Sequence, residues 1–191
     1  MYTLVLVRHG ESLWNKKNLF TGWTDVGLTE EGTNDARIMG KKLKELGFSF
    51  ERGYTSVLKR AGLTLELILE EMDESEVRIV KDWRLNERHY GALQGKSKVG
   101  ILDEVEWAQV HAYRRSYTTR PPQLKPDDPR HPGNDPKYAR VPSHLLPHGE
   151  SLQDAYNRVI PYFRQEILPA LETHKRIIVS AHGNTLRVML K

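Results

Sequence analysis

Two short, uninterrupted apolar runs constrain this chain more than any other feature. One is Thr3-Leu-Val-Leu-Val7 and the other, near the opposite end, is Arg176-Ile-Ile-Val-Ser180. Runs of this length without polar alternation predict strands buried on both faces of a parallel sheet. The first has no charged stretch before it and is too short for a signal or membrane segment, so it reads as a core element. Helical patterns lie between the two runs. Thr29 is an N-cap candidate with Glu30 and Glu31 behind it, and Ala36, Met39, Leu43 and Leu46 recur at spacings of three and four before Gly47. A second helix is expected over about Val57–Met72, with Leu58, Ala61, Leu65, Ile68 and Leu69 inward. A third begins at Ser151, with Asp154 completing a capping signal and with Pro161 and Pro169 expected to kink or divide it. Gly53–Ser56 and Val77–Val80 are weaker strand candidates. Strands alternating with helices predict a three-layer α/β sandwich with a mostly parallel central sheet.

The 191 residues suffice for one domain with a sizeable core. Eight of the ten prolines fall between Ser116 and His148. Too little chain follows for a second domain, so that stretch reads as an excursion over one face, of the kind that forms lids and binding loops. With no cysteine, disulfides and thiolate metal sites are excluded, which fits a cytoplasmic protein. The net charge of +4 is mild, and Lys41, Lys42 and Lys44 read as a solvated helix face. No basic run interleaved with aromatics points to nucleic acid, and nothing points to a membrane.

The chemistry concentrates where the two strands end. The first runs into Arg8-His9-Gly10 and the second into Ala181-His182-Gly183-Asn184. Open α/β sheets bind ligands at the carboxyl ends of their strands, so both histidines are expected to face one crevice. Glycine after each allows a tight turn and lets backbone N–H groups approach a ligand oxygen. A pair of merely structural histidines remains an alternative at this level. A metal site lacks support, because no carboxylates flank the histidines at ligand spacing and Arg8 repels a cation. Arginine beside histidine suits phosphate, gripped in bidentate fashion. Arg60, Arg84, Arg88, Arg114 and Arg115 lie near predicted element ends, with Arg114-Arg115 at the mouth of the proline-rich excursion. No Gly-x-Ser-x-Gly elbow, Walker loop or Gly-x-Gly-x-x-Gly fingerprint occurs, which leaves histidine itself as a candidate nucleophile.

These segments resemble the cofactor-dependent phosphoglycerate mutases of the histidine phosphatase superfamily over essentially the whole chain. The matching stretches are Leu4-Val-Leu-Val-Arg-His-Gly-Glu-Ser12, Phe20-Thr-Gly-Trp23, Tyr54-Thr-Ser-Val-Leu-Lys-Arg-Ala61, Arg84-Leu-Asn-Glu-Arg-His-Tyr-Gly-Ala-Leu-Gln-Gly95, Tyr113-Arg-Arg-Ser116 and Ala181-His-Gly-Asn184. Arg-His-Gly alone indicates the superfamily; the stretch through Gly95 points to the mutases.

The resemblance implies interconversion of 2- and 3-phosphoglycerate in glycolysis and gluconeogenesis, with 2,3-bisphosphoglycerate as priming donor and no metal. It implies His9 as the phosphate carrier, His182 as the stabiliser of the transferring group and Glu87 as general acid and base. Arg8, Asn15, Arg60 and Asn184 would hold the transferring phosphoryl group. Ser12, Thr21, Gly22, Arg88, His89, Tyr90, Lys98, Arg114, Arg115 and Gly183 would complete the site for small phosphorylated three-carbon acids. A homo-oligomer, dimer or tetramer, is also implied. The rival activities are bisphosphoglycerate synthesis, disfavoured because Ser12 stands where dedicated synthases tend to carry glycine, phosphatase activity, and binding without turnover. Gly62-Leu63 replaces the family's usual Ile-His. Lys191 falls inside a predicted helix, where the family continues with a further helix, an edge strand and a mobile tail. Without those parts a sheet edge would be uncovered, and hydrolysis of phosphorylated His9 would compete with transfer.

Overall fold

The structure, a computed structural model, describes residues 1–191. Its centre is a sheet of four parallel strands: β1 (Thr3–Arg8), β2 (Arg52–Thr55), β3 (Ile79–Lys81) and β4 (Arg176–Ala181), in the order β1-β4-β2-β3. Helices cover both faces, as the alternation of elements predicts. On one face α2 (Glu30–Glu45) and α3 (Lys59–Glu71) enclose Leu43, Leu65, Ile68 and Leu69 against Ile178, with Val5 and Val7 beside them. On the other, α5 (Leu152–Tyr162) and α6 (Leu168–His174) pack Tyr162, Ile167 and Leu171 with Ile177 and Val179, joined by Leu4 and Leu6. Successive residues of β1 and β4 thus serve opposite layers, which is why neither strand alternates in polarity.

The two apolar runs are not equivalent. β4 is central and buried from Ile177 to Ala181, whereas β1 is an edge strand half-buried from Thr3 to Val7 with Arg8 exposed. Period alone cannot separate these cases, because both faces of an edge strand still meet helices. Thr29 caps α2 by accepting from Gly32 N at 3.0 Å, and Gly47 follows the helix at φ +74°. Met39 and Leu46 do not face the core, being 41% and 64% exposed. The buried stripe of α2 runs instead through Gly32, Ala36, Gly40 and Leu43, where glycines let the helix sit close on its neighbours. Lys41, Lys42 and Lys44 are exposed.

Ser151 and Asp154 form the capping box of α5. Neither Pro161 nor Pro169 has an N–H to continue the helical ladder, and the stretch between them, Phe163–Ile167, winds as a π turn that divides the predicted long helix. No helix is long and apolar enough to cross a membrane. The proline-rich excursion folds back as short 3-10 turns over the segment that contains Glu87. Ala92 N donates to Pro122 O at 2.8 Å, Asn86 Nδ2 to the Tyr138 hydroxyl at 2.9 Å and Arg130 Nη1 to Gln94 O at 3.0 Å.

Gly62 lies inside α3, and a Cβ there would meet only the Lys81 ammonium, at an ordinary 3.5 Å. Gly62→Ala is therefore expected to raise stability by about 0.5–1 kcal/mol in urea unfolding at neutral pH, since alanine loses less backbone entropy in a helix. A decrease would mean that Lys81 cannot yield.

Candidate active site

The register of the central strands assembles the site. β1 pairs with β4 so that Arg8 stands opposite Ala181, and His9 N donates to Ala181 O at 3.0 Å. The residue after each strand is then a histidine at the carboxyl end of the sheet, and the His9 and His182 rings lie 5.0 Å apart between centroids. Two residues remote in sequence become neighbours through the hydrogen-bond ladder alone.

Both rings have one nitrogen committed. His9 Nδ1 donates to Gly10 O at 2.6 Å, so Nε2 keeps its lone pair. His182 Nε2 lies 2.8 Å from Ser56 Oγ, and its buried Nδ1 has no protein partner. Burial, then the Arg60 guanidinium, pushes His9 down from the ordinary 6.5 to about 3; Arg8 adds to this and the Gly10 bond opposes it. His182 is displaced in the same direction, first by burial and then by Arg60 and His9. Both imidazoles are neutral at physiological pH, the state a nitrogen nucleophile requires. An orphaned buried nitrogen beside the His9 ring suits an anionic oxygen, because polar atoms left unpaired in the interior are costly.

A cleft of about 340 Å³ opens over His9, a volume within the range of small-molecule sites. The structure brings to its wall Arg8, Asn15, Thr21, Gly22, Arg60, Glu87, Tyr90, Lys98, Arg114, Arg115, Gly183 and Asn184. His182 lies fully buried beside His9. The helix Leu13–Lys16, α1, begins with a capping box in which Asn15 Oδ1 accepts from Ser12 N and Ser12 Oγ. That leaves the Asn15 Nδ2 group available to an anion. Arg60, 1% exposed, donates to Gly22 O at 2.7 Å and Thr24 O at 2.9 Å; burial lowers it to about 10, so it stays charged. Glu87 Oε1 accepts from Arg88 N at 2.8 Å and Asn184 N at 3.2 Å. Lys98 is lowered by burial and then by Arg114.

None of Arg8, Lys98, Arg114, Arg115 or a further wall residue, Arg187, pairs with a carboxylate. Glu87 is the single acidic residue of the wall. A neighbouring hollow of about 440 Å³ touches the other side of His9 but carries Glu11 and Asp35, so an anion is favoured in the cation-lined cleft.

Three expected contacts are not on the wall. Ser12 is buried and spends its hydroxyl on Asn15. The Arg88 side chain turns away and donates to Tyr113 O at 2.9 Å, at the end of α4 (Trp107–Arg115), where it holds the helix that carries Arg114 and Arg115. His89 is fully buried, its Nδ1 accepting from Gly91 N at 3.0 Å. Arg84 also lies elsewhere, paired with Asp82 and stacked on Tyr162. Gly10 serves packing rather than anion contact: its N–H donates to Thr64 Oγ1 at 3.1 Å, and a Cβ would overlap the Gly32 carbonyl. Arg187, on α7 (Gly183–Met189), was legible in principle, because it follows Gly183 by four residues on one helix face.

The sequence profile of the histidine phosphatase superfamily, branch 1, matches residues 4–128, well over half of the chain. Similar folds are found in solved structures. Phosphoglycerate mutase from Bacillus anthracis is 20% identical, with a TM-score of 0.69 over 99% of this chain and 78% of that one. A mycobacterial glucosyl-3-phosphoglycerate phosphatase is 23% identical, with a TM-score of 0.71 over 99% and 77%. The alpha-ribazole phosphatase from Shigella flexneri is 21% identical, with a TM-score of 0.67 over 98% and 77%. With two buried histidines ending adjacent parallel strands and a matching profile over its first two-thirds, the chain belongs to branch 1 of the histidine phosphatase superfamily.

Proposed function

We propose that this chain is a 2,3-bisphosphoglycerate-dependent phosphoglycerate mutase, interconverting 2- and 3-phosphoglycerate through phosphate carried on His9 Nε2. The observation that carries this reading is the charge balance of the cleft. Five unpaired cations and the buried Arg60 face a neutral imidazole, against a single carboxylate. Such a wall suits a small substrate with an anionic group at each end. The mutase-like stretch Leu85–Gly95, which contributes Glu87 and Tyr90, adds specificity to the reading.

In the first half-reaction the His9 Nε2 lone pair attacks phosphorus in line, a P–N bond forms and the P–O bond to the substrate breaks. Glu87, as the carboxylic acid, gives its proton to the departing oxygen. In the second, the Glu87 carboxylate takes the proton of the accepting hydroxyl, whose oxygen attacks phosphorylated His9 and restores the imidazole. The proton count closes over the cycle. Arg8, Arg60, Asn15, Asn184 and His182 Nδ1 bear on the transferring oxygens. In a loose transition state they contribute by position and charge, not by bonding. Lys98, Tyr90, Arg114 and Arg115 would orient the remaining carboxylate and phosphate.

A phosphatase reading is the alternative, since two of the structurally similar proteins named above are phosphatases and water can replace the accepting hydroxyl under the same Glu87. One experiment separates them: incubation with 2,3-bisphosphoglycerate, then mass spectrometry for acid-labile phosphate on His9, with transfer and phosphate release measured in parallel. Label on His9 with transfer to phosphoglycerate exceeding release is expected. Release exceeding transfer would favour the phosphatase, and an unlabelled but folded protein would remove both.

A further inference from the structure

Outside the cleft, the most densely bonded group in the structure is a buried arginine that the mechanism above does not use. Arg158, on α5, has a side chain 7% exposed and forms a two-pronged ion pair with Glu150, 5% exposed, at 2.7 and 2.8 Å. Its remaining capacity is spent on main-chain carbonyls: Arg84 O at 2.8 Å, Asn86 O at 3.2 Å and Glu87 O at 3.2 Å. Glu150 completes the grip, because its Oε2 also accepts from His89 N at 2.8 Å while its N–H donates to His89 O at 2.8 Å. The Trp23 indole N–H reaches the same Glu87 carbonyl at 2.6 Å, and the Arg158 guanidinium lies 5.3 Å from the centre of the Trp23 ring.

The segment so gripped has irregular backbone, a 3-10 turn at Trp83–Leu85 and then residues outside any helix or strand, so no ladder fixes it. A carboxylate that must meet the leaving oxygen within hydrogen-bond reach needs its backbone held to a fraction of an ångström. A buried ion pair is weak evidence for stability in itself, since hydrophobic replacements often serve as well. Here each partner bonds the backbone on a different side of Glu87, an arrangement that fixes position.

We propose that Arg158, Glu150 and Trp23 are positioning residues that set the Glu87 carboxyl group against the leaving oxygen. The proposal rests on the reading of Glu87 as general acid. It predicts a dependence on the leaving group that a merely structural role would not produce. An alkyl phosphate such as glycerol 3-phosphate needs its departing oxygen protonated, whereas p-nitrophenolate leaves unaided.

The test is pre-steady-state release of the alcohol from both substrates by Arg158→Lys, Trp23→Phe, Glu87→Gln and the double variants with Glu87→Gln. Arg158→Lys is expected to lose on the order of a hundredfold on glycerol 3-phosphate and less than about threefold on p-nitrophenyl phosphate. Trp23→Phe, which keeps an aromatic side chain but loses the N–H donor and part of the buried indole, should show the same split at about tenfold. It serves if Arg158→Lys does not fold. Neither substitution should lower the rate further once Glu87 is Gln. Equal losses on the two substrates, or losses that add to that of Glu87→Gln, would overturn the proposal. If Glu87→Gln itself shows no split, the general-acid reading fails, and the positioning role fails with it. A split in Glu87→Gln but not in Arg158→Lys or Trp23→Phe removes the positioning role alone.

Discussion

His9→Ala is expected to carry no acid-labile phosphate after exposure to 2,3-bisphosphoglycerate and to lose phosphoryl transfer by roughly 10⁴-fold or more, the scale on which removal of a nucleophile acts. The size of the effect follows from the lack of a substitute. His182 is the only other imidazole beside the cleft, but it is wholly buried and its Nε2 is engaged by Ser56. Ser56 has no exposed surface and its oxygen also accepts from Leu58 N, so it cannot inherit the role. The fold should survive, because the backbone of His9 is held through its N–H to Ala181 O and the side chain contributes little to either core cluster. Rapid-quench assay beside circular dichroism measures both. A labelled or active His9→Ala protein would place the phosphate elsewhere.

Acid should unfold this protein early. His9 and His89 sit at about 3, and His182 well below its ordinary 6.5, each chiefly through burial. The native state therefore keeps all three neutral while the unfolded chain binds protons as pH falls below about 6.5. A depressed histidine contributes stability that is fully present above the unfolded value and is lost as pH drops toward the folded one. Each withdraws up to about 1.4 kcal/mol per pH unit, so His9 and His89 together remove on the order of 4 kcal/mol between pH 7 and pH 5, and His182 adds to the loss in the same direction. That loss is comparable to the whole stability of many domains. Urea unfolding at the two pH values reads it directly, and equal midpoints would show that the buried rings are protonated without cost.

The sheet and its strand-end histidines were legible because buried strands and the residues that follow them form contiguous sequence. Edge and centre are not separable in the sequence: β1 and β4 are both short apolar runs, and only pairing reveals that β1 has one neighbour. The sequence pattern puts Met39 and Leu46 on the inward face of α2 because glycine leaves no apolar mark, although at Gly32 and Gly40 even a Cβ would overlap the backbone of Glu11 and Ile68. Arg88 and His89 were expected in the cleft because a matching stretch does not say which way a side chain turns.

Arg158 is the clearest omission. It lies three residues after Ala155 and four before Tyr162, the spacing of the buried face of α5, so its position already argued against solvent. What the sequence does not carry is the partner, since Glu150 and the carbonyls of Asn86 and Glu87 meet it only in the folded chain.

The register between β1 and β4 has an evolutionary corollary. Insertion or deletion of one residue in either strand would turn its histidine to the opposite face of the sheet, so the spacing of the two rings tolerates no gradual change. Tyr90, Lys98, Arg114 and Arg115, by contrast, reach the cleft from connecting segments and a helix end, positions not tied to the strand register. On the proposed reading, the phosphate carrier is therefore fixed by the sheet, whereas Glu87 and the groups that would orient the substrate depend on how connecting segments are held. If the proposed function holds, a change in those segments would alter which anion is accepted while leaving the pairing of the two rings untouched.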